Sequence, residues 1–238
     1  MTRPAEKSCA QADSHVYVNP LRMACDARFY FWTILLLGGF LYVYVVLCGR
    51  TMPRTLHHKA YMEILKLLIS APILFYISPR YALQPFMEDG RRALTWNVLG
   101  FALPFFIALH FFYLQKIHVV NYSLTASDFQ RMPFVAIMVF SILGLVILLL
   151  AGYHMYLAQQ EGVLLRYMFI LFAAIGLIAA ITWAVRSHHH LHIHHYFLAG
   201  FFIPFTRFRN PVSVVCLGLS TGVYVEGISE WGMAPIWV

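Results

Sequence analysis

The residues best suited to chemistry are gathered in one short run. Ser187 to Tyr196 holds His188, His189, His190, His192, His194 and His195, half of the twelve histidines in the chain. The run alternates with Leu191 and Ile193 and leads straight into the apolar stretch Phe197 to Phe205. On a helix turning 100° per residue, His188, His192 and His195 fall within about 60° of one another. His190 and His194 form a second pair, spaced i, i+4, on a different face. Imidazoles one turn apart can converge on a single cation, as they do in H-E-x-x-H metalloproteases. The same donors suit a transition metal or, with a second axial histidine at matching depth on a facing helix, a haem. His110 and His154 are the candidates for that second histidine.

Two acids lie within reach of this run. Glu226 sits inside the apolar segment Val212 to Ile228, and Glu230 follows one helical turn later. The intervening Thr206 to Pro211 reads as a tight basic hairpin. A hairpin centred near Phe208 pairs His190 with Glu226 and Arg186 with Glu230. An ionisable side chain within a spanning segment is a functional-site hypothesis with a partner to be named. Three chemistries fit these residues. In the first, His188, His192 and His195 ligate a metal with Glu226 or Glu230 beside them. In the second, the same groups relay protons. In the third, the imidazoles rest at head-group level, and Glu226 and Glu230 neutralise Arg186 and lock two helices together. We favour the third, because polar residues inside membranes so often serve as glue between helices.

The elements that position these residues are dictated by composition. Of 238 residues, 61% are hydrophobic and only 11% charged, whereas a soluble domain is about half apolar and roughly a quarter charged. Charged residues are absent from Tyr30 to Cys48, Phe134 to Leu157 and Tyr167 to Val185. Each window matches, or nearly matches, the roughly 20 apolar residues that cross about 30 Å of hydrocarbon. Tyr61 to Ile77, Leu94 to Tyr113, His190 to Phe205 and Val212 to Ile228 are further candidate spans, interrupted by Glu63, Lys66, Pro72, Pro104, His110 and Glu226. Membrane helices tolerate such prolines because neighbouring groups re-satisfy the freed carbonyl. The predicted fold is all-α, a polytopic bundle of seven spans with six as the alternative. It divides into a polar N-terminal tail over 1–28 and a transmembrane helical domain over 29–238. Gly218 and Gly222, spaced G-x-x-x-G, would let the last span approach a neighbour closely. Arg207 and Arg209 in the hairpin are expected among lipid head groups.

Several function classes are excluded or weakened. The net charge is +7, yet the basic residues are spread over nearly every loop, which fits anionic lipid surfaces and not nucleic acid. With seven spans, the Lys and Arg count favours a cytosolic or matrix-facing N-terminus only slightly. Cys9, Cys25, Cys48 and Cys216 form no C-x-x-C pair and no disulfide pattern. The first 28 residues lack the apolar core and small-residue cleavage site of a secretory signal. There is no phosphate-binding loop and no dinucleotide fingerprint.

The C-terminal stretch Leu191-His192-Ile193-His194-His195-Tyr196, followed by Pro204, Thr206-Arg207, Gly218, Gly222, Gly227-Ile228 and Trp231-Gly232, resembles the multi-pass membrane region of LCCL-domain proteins of fungi and protists. The resemblance covers about the last fifth of the chain. The Cys-bearing LCCL module that names those proteins is missing, so its ligand-binding role does not carry over. What the resemblance implies is a membrane bundle without an assigned reaction.

The function expected from these readings is that of a non-enzymatic accessory subunit or lipid-contacting scaffold, with membrane lipids and other membrane subunits as partners. A histidine-box metalloenzyme or haem or metal redox protein acting on lipid is the alternative. It is disfavoured because such enzymes spread their histidines over several boxes. A proton-coupled transporter ranks third, since no internal repeat links the two halves.

Overall fold

Asp26 starts the first helix. Its side chain accepts the Arg28 backbone N–H at 3.0 Å, satisfying a donor that the first turn would otherwise leave unpaired. The computed structural model describes residues 26–47, 57–86, 90–117, 131–186 and 195–233. Among them every regular element is helical and no strand occurs. In chain order the helices are α1 (Ala27–Tyr42), α2 (His57–Ile77), α3 (Pro79–Ala82), α4 (Gly90–Thr95), α5 (Leu103–Ala108), α6 (Phe134–Gln160), α7 (Leu164–Val185), α8 (His195–Phe202) and α9 (Pro211–Trp231). A π-helical turn, Val43–Leu47, extends α1, and another, Trp96–Ala102, joins α4 to α5. Ile203–Thr206 extends α8 as a 3₁₀ turn.

Five helices are long and apolar enough to cross a membrane: α1 with its extension, α2, α6, α7 and α9. By length and composition this is a membrane-embedded chain. The described parts of the two other predicted spans are helical and hold no single helix of that length. Over Leu94 to Tyr113, Pro104 has no N–H to give and its ring crowds the preceding turn. The helix widens there, and the Leu103 N–H reaches back to the Val98 carbonyl. Over His190 to Phe205, the described part is α8 alone, which Pro204 ends in the 3₁₀ turn. The predicted polar tail over 1–28 lies outside the described residues except for 26–28, where α1 is already under way.

The core is built around α9. Two thirds of its membrane-length window, 67%, is buried, against 6% for α6 and none for α7. The neighbours of α9 are α5, α8, the π turn before α5, and α1. Trp32, Leu36, Phe101, Phe105, Leu217 and Val225 form its centre. Gly218 and Gly222 face the backbone of α5 and of the π turn before it, where any added Cβ would strike the carbonyls of Phe101 and Phe105. Bare backbone at these two positions is what permits so close a crossing.

Polar clips sort the helix ends into two groups. At one end, Arg28 donates to the carbonyls of Arg80 and Leu83 at 2.7 and 3.3 Å. The buried Asn97 exchanges two hydrogen bonds with the Gln84 backbone, at 3.0 and 2.9 Å, and Arg207 lies over the Tyr81 ring at 4.1 Å. At the other end, Tyr42 meets His110 at 3.0 Å, and Glu63 accepts the Met233 backbone N–H at 2.7 Å.

The α6–α7 hairpin turns at Glu161, Gly162 and Val163. The Val163 N–H bonds to the Ala158 carbonyl at 2.9 Å and the Gly162 N–H to that of Gln159 at 3.0 Å. This is the paired arrangement that closes a helix through a left-handed residue, and Gly162 supplies it with φ +68°.

Candidate functional site

His195 opens α8 and Glu226 lies on the buried side of α9, so the two helices bring an imidazole to a carboxylate. The distance from His195 Nε2 to Glu226 Oε2 is 3.1 Å, with the His195 side chain 28% exposed and that of Glu226 fully buried. Gly227 makes the approach possible, since a Cβ there would fall 2.5 Å from that of Tyr196. Phe111 covers the imidazole, ring centroids 5.2 Å apart. Glu230 lies beside Glu226 and next to Trp231. One oxygen of each acid, Glu226 Oε1 and Glu230 Oε2, is buried without a hydrogen-bond partner. A carboxylate away from water is costly unless cations or donors meet it, and His195 meets the other oxygen of Glu226, Oε2.

The register differs from the predicted one. Glu226 meets His195 where the symmetric hairpin paired it with His190, a residue outside the described ones. The turn itself lies where it was predicted, over Arg207 to Asn210, so the observed pair is five residues out of the symmetric register. Part of the reason is local: α8 gives way to a 3₁₀ turn at Ile203, while α9 starts at Pro211 with its first turn capped by Asn210, whose Oδ1 accepts the Val212 N–H at 3.0 Å. The predicted Arg186–Glu230 ion pair is not formed. Arg186 ends α7, which leaves the bundle with α6, and its guanidinium lies over Trp183 of its own helix at 5.1 Å. Of the predicted metal ligands, His195 and Glu226 are brought together, while His188 and His192 lie outside the described residues. Among the described residues no three His, Cys, Asp or Glu side chains converge where an ion could sit.

His110 and His154, the candidate axial ligands, are fully engaged elsewhere. His154 Nδ1 is 2.8 Å from the Leu150 carbonyl and Nε2 is 3.2 Å from Ser213 Oγ. A carbonyl only accepts, so Nδ1–H donates to it and the Ser213 hydroxyl donates to Nε2. His110 repeats the pattern, with Nδ1 2.9 Å from the Phe106 carbonyl and Nε2 3.0 Å from the Tyr42 hydroxyl. Each imidazole is a clip between helices with no nitrogen free for iron.

A second polar group occupies the opposite end. Arg207 stands between Tyr81 and Tyr167, with its Nη2 3.8 Å from Glu161 Oε2. Its Nε is buried without a hydrogen-bond partner. Arg209, two residues on, is exposed. Tyr167 and Glu161 gave no signal in the sequence, because the hairpin that carries them meets Arg207 only through the fold. Ser213 and Asn97 were legible only as isolated polar residues in apolar windows.

Comparison of the chain with protein-family models, curated proteins and solved structures gives no match.

Proposed function

We propose that this membrane-embedded chain is a non-enzymatic, lipid-contacting scaffold that crosses the bilayer seven times and joins a larger membrane assembly through the α6–α7 hairpin. The observation that carries the proposal is the contrast between α9, mostly buried, and the hairpin, whose membrane-length windows are 6% and 0% buried. The hairpin is held at its turn end, where Tyr167 packs on Phe205 and Phe208, ring centroids 5.4 and 6.5 Å apart, and His154 bonds to Ser213. Its outer surface presents Leu148, Phe169, Phe172 and Leu177. Such a surface is satisfied by lipid tails or by the apolar helices of a partner. The alternation of helix ends supports seven crossings, with the α4–α5 segment and α8 as the two shorter ones. The resemblance to the LCCL-associated membrane region belongs to the same proposal and names no reaction.

Photo-crosslinkers at Phe172 and Leu177 test it in native membranes. Adducts with a defined membrane protein, retained through mild-detergent purification, are the expected result. A stable monomer that crosslinks lipid alone would overturn the assembly part.

The histidine-box and haem reading requires His188 and His192 to join His195 and Glu226 around an ion. The proton-carrier reading requires Glu226 and Glu230 to exchange protons with bulk water. Total-metal analysis and the absorption spectrum of the purified protein decide the first, and proton uptake in vesicles decides the second.

A further inference from the structure

Between the α6–α7 hairpin and the α8–α9 pair lies a cavity of about 360 Å³, within the roughly 300–1,000 Å³ range of ligand pockets. We propose that it holds an acyl chain of an anionic phospholipid, whose phosphate is bound by Arg207. This deepens the lipid-contacting reading and rests on it.

The walls are mostly apolar, with Leu150, Ala151, Leu171, Phe201 and Phe205 among the lining residues. Two of the polar groups that reach it are already occupied, His154 by Leu150 and Ser213, and Thr206 by the Ile203 carbonyl at 2.8 Å, and Ser220 adds a hydroxyl on the α9 wall. An apolar space of this kind does not hold water. Met155 and Phe202, both on the lining, are 46% and 45% exposed, so the cavity opens sideways toward the lipid tails.

One end is different. Tyr167 contributes its ring to the wall while its hydroxyl faces Arg207. The guanidinium lies over the Tyr81 ring at 4.1 Å. The nearest carboxylate among the described residues, that of Glu161, is 3.8 Å away and half-exposed, so it does not bridge the donor fork, and the Arg207 side chain stays 23% exposed. Arg166 and Arg209 are exposed at the same end and add positive charge beside Arg207. A planar, always charged fork matches phosphate oxygens two at a time. A phosphate at this height leaves the acyl chain directly opposite the cavity mouth, with apolar walls below and positive charge above.

The test uses the full chain, delipidated in detergent and titrated with phosphatidylglycerol, phosphatidylcholine or dioleoylglycerol, with bound lipid counted by native mass spectrometry. One phosphatidylglycerol per chain is expected, bound more tightly than phosphatidylcholine and about tenfold more tightly than dioleoylglycerol, the loss of one charge-assisted contact. Arg207→Gln should remove that preference and leave dioleoylglycerol binding unchanged. Ala151→Trp, which fills the cavity, should abolish binding of all three. If that variant does not fold, Cys216→Phe fills the space from the opposite wall. Ile175→Trp, on the outer face of α7, should change nothing. Equal binding of the three lipids, or no effect of Arg207→Gln, overturns the proposal. So does a photo-crosslinker at Met155 that captures a partner protein in place of lipid. Crosslinks from Phe172 and Leu177 do not depend on the cavity, so their persistence would leave the scaffold reading standing while this site fails.

Discussion

His195 donates to Glu226 across 3.1 Å, from the first residue of α8 to a carboxylate with no exposed surface. Removing one member of a buried polar pair is worse than removing both, because the survivor is left unmet. His195→Ala should therefore lower stability by about 1–3 kcal/mol, and Glu226→Gln by less, since an amide oxygen still accepts the imidazole N–H. The double variant His195→Phe/Glu226→Leu should recover most of the His195→Ala loss. Thermal unfolding in detergent measures all three. Losses that simply add in the double variant would show that the pair contributes nothing as a pair.

Gly218 and Gly222 lie where an added Cβ meets the carbonyls of Phe101 and Phe105. Overpacking of this kind costs about 1–3 kcal/mol per site, so Gly218→Ala and Gly222→Ala should each reduce the melting temperature, and together should prevent accumulation of folded protein. Gly144 and Gly176, where a Cβ would meet nothing within 4 Å, should accept alanine without loss. Equal sensitivity at the two pairs of sites would refute the close crossing of α5 and α9.

Gly162 adopts φ +68° at the hairpin turn, a conformation that costs a residue with a Cβ roughly 1–2 kcal/mol. Gly162→Ala should loosen the α6–α7 turn, and Gly162→Asn should be milder because asparagine visits this region more readily. Limited proteolysis at Glu161 to Val163, compared between the two variants, reads the difference.

The alternation of helix ends makes a labelling prediction. Single cysteines at Glu161 and Arg209, in a cysteine-free background, should react with an impermeant maleimide from one side of the membrane. Those at Arg186 and Met233 should react only from the other. Labelling of Arg209 and Met233 from the same side would remove α9 as a complete crossing.

The windows Phe134 to Leu157 and Tyr167 to Val185 read as helices from sequence because lipid-facing helices are apolar all round, and they correspond closely to α6 and α7. What happens at Pro104 was less legible: proline marks a disturbance, but whether the helix breaks, kinks or widens depends on what packs beside it. The partner of Glu226 was misplaced for a related reason. A symmetric hairpin assumes the same rise per residue on both arms, whereas Ile203–Thr206 winds as a 3₁₀ turn with about 2.0 Å per residue against 1.5 Å, which moves the register by little more than one of the five residues. Asn97 and Glu63 answer backbone groups of Gln84 and Met233, and backbone partners leave no trace in side-chain pattern.

The burial of α9 has a consequence for biosynthesis. It is the least apolar of the five long helices and the most enclosed, and it follows every other described helix in the chain. A ribosome therefore delivers the others to the membrane before the helix they surround. Until α9 emerges, the faces of α1, α5 and α8 that will receive it must be held apart from one another or covered by lipid or an insertion factor. Its own entry, with Glu226 aboard, is favoured by the groove those helices offer more than by the hydrocarbon. Chains stalled before Pro211 would lack the centre of their own core and should be the forms that membrane quality control removes.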